Sequence, residues 1–186
     1  MIEKQAEYYR ELLRSTYKTG IEDLINYLDN NGFFEQPAST QYHLSRPSGL
    51  LEHSLNVYGL MMEHYTESAK FEMTQNDIIL VSLLHDIGKM GWNNQPGYLE
   101  NTLKSGKLSE SKPYVRNSDL IQMQHQDLSL LIACKFINLT DNQMVAIKYH
   151  NGMYTPDGRD ISGKETPLMI LLHFCDMWAS RVTEVE

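Results

Sequence analysis

Two aspartates stand inside apolar runs of helical period, Asp86 in LLHDIGK and Asp176 in LLHFCDMW. A carboxylate removed from water is tolerated only when it is paired or bound to a metal ion, so each of these positions calls for a cation. His85 adjoins Asp86, and His173 precedes Asp176 by one helical turn. Histidine offers neutral nitrogen donors and carboxylate offers oxygen with negative charge, the mixed set that divalent transition ions accept. With the further histidines of the helical segments, His53, His85, Asp86, His125, His150 and Asp176 form a candidate ligand set drawn from five helices. That is more than one ion needs, and a carboxylate of Asp86 shared between two ions would permit the separation of about 3.5–4 Å used in two-metal catalysis. His64 lies on nearly the same helical face as His53 but about 16 Å further along the axis, too far to join it. His173 and Asp176 share a face and compete for the same place.

The rest of the chain is ordinary. Its 186 residues carry 16 Lys plus Arg against 24 Asp plus Glu, a formal net charge of -8, and suit a single compact domain rather than a two-domain enzyme. That charge repels long duplex nucleic acid and leaves small anionic substrates open. The two cysteines, Cys134 and Cys175, lie far apart in apolar segments, which predicts buried, reduced thiols in a reducing compartment and no disulfide framework. The N-terminal stretch lacks the pattern of a secretory signal, and no apolar run is long enough for a membrane span, so a cytoplasmic protein is expected.

Helical spacing of apolar residues runs from Lys4 to about Asn31, with Gly20 interrupting it, and a Pro-, Ser- and Gly-rich loop follows to Gly49. A helix bearing His53 begins near Leu50. Thr74 with Asp77 marks the start of a buried helix ending near Gly88, with His85 and Asp86 in its last turn. Residues from Met90 to Asp119 lack a helical period, and Lys104, Ser105, Gly106 and Lys107 suit the turn of a small β-hairpin over the site. Helical periodicity returns over Ile121 to Ile137. A capping box at Thr140 and Gln143 then starts a helix through His150, and Thr166 with Pro167 starts the one containing Asp176. The expectation is an all-α, single-domain bundle with long loops and a small hairpin. Residues 1–41 form an N-terminal helical segment packed on a 42–186 core.

GLLEHSLNV around His53, LLHDIGK around His85 and Asp86, and the helix bearing Asp176 together resemble the HD superfamily of metal-dependent phosphohydrolases over about Tyr42 to Arg181. The resemblance implies a helical bundle in which His53, His85, Asp86 and Asp176 bind one metal. His125 and His150 are similar to the extra pair of binuclear members. Where relatives carry Gly-Glu after the histidine corresponding to His125, this chain has Gln126 and Asp127. One or two divalent ions (Mn, Fe, Co, Ni or Mg) are implied as cofactor.

The expected reaction is hydrolysis of a phosphomonoester or phosphodiester, of a nucleotide or small phosphorylated metabolite, by metal-activated water. Asp86 would organise the metals, Lys89 would neutralise phosphate, and Asp127 would position the water or orient a ligand. Arg46 and Arg181 are candidate phosphate contacts, with surface salt bridges as the plain alternative. Lys104, Lys107, Lys112 and Arg116 could form a cationic lid, diluted by Glu100, Glu110 and Asp119, and Tyr114 could stack on a base. The same ligands also suit a diiron oxygenase of the superfamily, and a noncatalytic nucleotide-binding module is the third reading.

Overall fold

The computed structural model describes residues 2–65 and 73–185. Among these the order is α1 (Ile2–Ser15), α2 (Ile21–Asn30), α3 (Gly49–His64), α4 (Gln75–Leu84), β1 (Gly91–Trp92), β2 (Gln95–Pro96), β3 (Tyr98–Glu100), β4 (Tyr114–Arg116), α5 (His125–Phe136), α6 (Asp141–Tyr149) and α7 (Pro167–Trp178). Helix α4 is the axle. Every residue from Ile78 to Leu84 is buried, as befits a helix apolar on all sides, and α1, α3, α6 and α7 pack around it. Helices α1 and α2 share the core through Tyr9, Leu13, Leu24 and Leu28, and the Tyr9 hydroxyl donates to the Leu83 carbonyl at 2.7 Å. No described helix is long and apolar enough to cross a membrane.

The helix starts follow their capping residues. Thr74 and Thr140 form capping boxes with Asp77 and Gln143, and the Thr166 side chain accepts from Met169 N ahead of Pro167. Ends and loops depart further from the expectation. Helix α4 stops at Leu84, and Asp86 takes φ -111, ψ 5 before a 3-10 turn over Ile87–Met90. Adjacent residues of an unbroken helix point about 100° apart; leaving the helix at Asp86 lets its side chain and that of His85 converge. Helix α5 begins at His125 rather than Ile121. The hairpin exists as β3 paired with β4, with Leu103 and Gly106 turning it, and a shorter ribbon joins β1 to β2. Two further expectations fail. Cys134 is exposed, because α5 turns Ile132 and Ala133 inward instead, and Tyr114 is buried in β4, where it cannot stack on a ligand.

The 3-10 turn rests directly on the start of α5. A Cβ on Gly88 would lie 2.2 Å from the His125 carbonyl oxygen and 2.7 Å from Ser129 N, while Gly88 N donates to Ser129 Oγ at 2.8 Å. Gly88→Ala must therefore push α5 away from Asp86. We expect a loss of about 2–4 kcal/mol in denaturant unfolding, from overpacking against backbone and a stretched buried hydrogen bond. Ser129→Ala, which loses the bond without the clash, should cost about 1 kcal/mol.

Candidate metal centre

Five helices bring their chemistry to one end of the bundle. His53 comes from the second turn of α3, His85 and Asp86 from the break after α4, His125 from the first position of α5, His150 from the C-cap of α6 and Asp176 from the last turns of α7. All six sequence candidates meet there, and His53, His85, Asp86 and His150 are buried.

Asp86 divides the cluster in two. Its Oδ2 lies 3.5 Å from His53 Nε2 and 3.4 Å from His85 Nε2, with Asp176 Oδ1 3.2 Å from His53 Nε2 on the same side. Its Oδ1 faces His125 Nε2 at 3.2 Å and His150 Nε2 at 3.5 Å. These approaches are close but poorly aligned: His53 Nε2, His85 Nε2 and Asp86 Oδ1 are buried without a hydrogen-bond partner. Such atoms are costly to leave unmatched.

The opposite ring nitrogens explain which way the lone pairs point. His85 Nδ1 donates to the Ser82 carbonyl at 2.8 Å and His150 Nδ1 to the Ile147 carbonyl at 2.8 Å. His53 Nδ1 faces the Glu184 carboxylate at 3.0 Å. With Nδ1 donating outward, each neutral ring leaves its Nε2 lone pair to face inward for a metal, the arrangement typical of metal-ligating histidine. His125 Nε2 and His150 Nε2 stand 3.3 Å apart, with the Asn151 amide 3.0 Å from the latter. Two lone pairs that close call for a cation or proton between them. The donor set, the unmatched atoms and their tautomers all fit a bound divalent ion.

The electrostatics agree. Burial opposes ionisation of Asp86, yet the Lys89 ammonium, then the histidines, hold its carboxyl well below the usual range. Burial likewise disfavours protonated His53, but Asp176 and Glu184 outweigh it and raise the pKa to about 10. Without metal, a proton thus takes the place of a cation there. Burial, only partly offset by Asp86, lowers His125 to about 4, leaving it a neutral donor at pH 7.

Lys89 Nζ reaches Asp86 Oδ2 at 2.5 Å, because residues three apart eclipse in a 3-10 turn. His173 does not compete with Asp176 after all: its Nδ1 donates to the His150 carbonyl at 2.6 Å, bracing α6 against α7. Asp127 is not brought into the cluster. Its carboxylate is taken by Lys148 Nζ at 2.5 Å, and the same ammonium holds Asp157 at 2.7 Å, so its charge ties α5 to α6 instead of facing a water at Asp86. Arg46 pairs with Glu52 across the start of α3 at 2.7 Å. Arg181 stacks over Tyr154 and lines a pocket of about 150 Å³ together with Asn151, His173 and Asp176.

One part of the site escaped sequence reasoning. After α7 the chain makes a π-helical turn over Ala179–Thr183 that carries Glu184 back beneath α3. There its buried carboxylate receives His53 Nδ1, His43 Nδ1 at 2.6 Å and Asn56 Nδ2 at 2.9 Å. Nothing in a polar tail ending TEVE sets Glu184 apart from its neighbours.

Family comparison agrees with the geometry: the HD domain matches residues 50–172. This chain belongs to the HD domain family. Membership places it in a superfamily of metal-dependent hydrolases, and this HD domain holds buried His and Asp groups able to bind a metal ion. Asp176 and Glu184 follow the matched span. Comparison of this HD domain with curated proteins and with solved structures found no match.

Proposed function

We propose that this HD domain is a phosphohydrolase that holds two divalent ions and cleaves a phosphomonoester or phosphodiester of a nucleotide or small phosphorylated metabolite. The observation that supports it best is the division of Asp86, one carboxylate oxygen toward His53 and His85 and the other toward His125 and His150. His53, His85, Asp86 and Asp176 would hold one ion, and Asp86, His125 and His150 the other. When bound, the metal supplies Lewis acidity toward the phosphoryl group and activation of water.

The chain's own groups do the rest. Lys89 carries a permanent charge at Asp86: burial opposes it, but Asp86 more than compensates and raises its pKa further. A phosphoryl group arriving at the cluster meets that ammonium at hydrogen-bonding reach and draws it off Asp86, neutralising charge as it develops. Arg181, which lines a pocket together with Asp176, would contact the same anion.

Metal-stripped protein resupplied with Mn²⁺, Co²⁺, Ni²⁺, Fe²⁺ or Mg²⁺ should release product from a panel of nucleoside phosphates, phosphodiesters and sugar phosphates. Turnover with redox-inert Mg²⁺ would exclude oxygenase chemistry for that reaction. Substrate-dependent oxygen uptake confined to the iron-loaded protein, or ligand binding without turnover under every metal, would overturn the hydrolase reading.

A further inference from the structure

A cavity of about 320 Å³ opens beside the cluster, with Lys89 and His125 on its inner wall and Tyr98, Arg116, Gln122 and Gln124 among its other lining residues. This is the lower end of the ~300–1,000 Å³ range of small-ligand sites, so it suits a compact substrate. Two cations line it and, among the described residues, no carboxylate does, in a chain whose net charge is -8.

Arg116 is the unexplained member. The other cations around the site have partners: Lys89 holds Asp86, Arg46 holds Glu52, Lys148 holds Asp127, and Arg181 stacks over the Tyr154 ring. Arg116 makes no side-chain hydrogen bond or ion pair with any described residue. It stands directly opposite Tyr98 in the β3–β4 register, and paired residues of antiparallel strands share one face. The hairpin therefore presents ring and guanidinium side by side in the cavity that Lys89 and His125 also line, with Tyr98 near enough to Lys89 and Asp86 to interact with their charges.

We infer that the half of the ester leaving the phosphoryl group carries a second anionic group, a carboxylate or another phosphate, which docks on Arg116. This rests on the phosphohydrolase reading of the same site. Lys89 takes the phosphoryl end and Arg116 the distal anion; the Gln124 amide can donate or accept between them, whereas Gln122, whose amide nitrogen already serves the Ser118 and Leu120 carbonyls, can only accept.

Non-hydrolysable analogues separate the two ideas. Mn²⁺-loaded protein is titrated calorimetrically with 3-carboxypropylphosphonate, butane-1,4-bisphosphonate and 4-hydroxybutylphosphonate, and turnover of the matching phosphate esters is measured in parallel. At least one of the two analogues with a second anionic group should bind about tenfold or more tightly than the hydroxyl analogue, the return expected of a charge-assisted pair. The arm showing the preference tells carboxylate from phosphate. In Arg116→Gln the ratio should fall to about one, with Arg116→Lys recovering part of it. Equal binding of all three analogues, or a preference that survives in Arg116→Gln, would overturn the inference. Preference without hydrolysis of any ester would leave the anion site standing and remove the hydrolase reading, whereas hydrolysis without preference would do the reverse.

Discussion

Asp86→Ala should abolish turnover, by a factor on the order of 10³ or more, because the one carboxylate facing both histidine pairs is lost and neither half-site keeps its shared oxygen. The decisive companion measurement is metal content. Wild-type protein should melt at a higher temperature when Mn²⁺ is added, since a ligand that binds only the folded chain stabilises it by mass action, and the variant should show no such rise. Stability without metal needs its own control, because removing Asp86 strands the Lys89 ammonium, 2.5 Å from it in the wild type. Breaking a buried ion pair from one side costs roughly 3–5 kcal/mol. Asp86→Asn with Lys89→Met removes both charges at near-constant volume and should regain most of that loss without regaining metal. Full turnover by a folded Asp86→Ala protein would mean that the reaction takes place elsewhere.

The second large effect concerns Glu184, which bears on the cluster through the ring of His53. Glu184→Gln should weaken metal binding by about 10–100-fold, the usual cost of losing a partner that orients a ligating histidine. Competition with a metal-chelating dye reads this directly. Glu184→Ala should also destabilise the protein, leaving His43, His53 and Asn56 donors without an acceptor. The pH dependence distinguishes an ionised carboxylate from a mere spacer. Burial pushes the Glu184 carboxyl up, but His43 and His53 prevail and hold it well below the ordinary range. A depressed folded pKa contributes stability that is complete above the unfolded value of about 4.3 and disappears as pH falls through the folded one. The stability gap between wild type and Glu184→Gln in metal-free protein should therefore be widest between about pH 4.3 and 6.5 and narrow in acid; because Glu184 also helps raise His53, it should narrow again as pH climbs from the unfolded histidine value toward about 10. A gap independent of pH would show that the charge is irrelevant.

The ligands are legible because each sits where a polar residue is anomalous. His53 and Asp176 interrupt apolar helical faces, and His85 and Asp86 end an apolar helix; burial makes such polar positions expensive unless they serve one another. Helix starts are equally legible, since Thr74, Thr140 and Thr166 satisfy backbone donors locally. What stays hidden depends on partners distant in the chain. Asp127 reads as available in the sequence, whereas Lys148, on the neighbouring helix, holds it. Glu184 and His43 meet across 141 residues, and neither lies in a periodic apolar segment. The exit of Asp86 from helical geometry leaves no trace in hydrophobic spacing, because Ile87 and Met90 continue an apolar pattern through a tighter turn. Arg116 is readable as a loop cation, but its pairing with Tyr98 requires the strand register.

Because the ligands come from five helices and span His53 to Asp176, a cation at their centre would act as a cross-link that closes several long loops of chain at once. Chelation should then loosen that end of the bundle as a unit. Amides in the last turns of α4 and α6 and in α5 from Leu128 onward would exchange with solvent together, while those of α1 keep their protection.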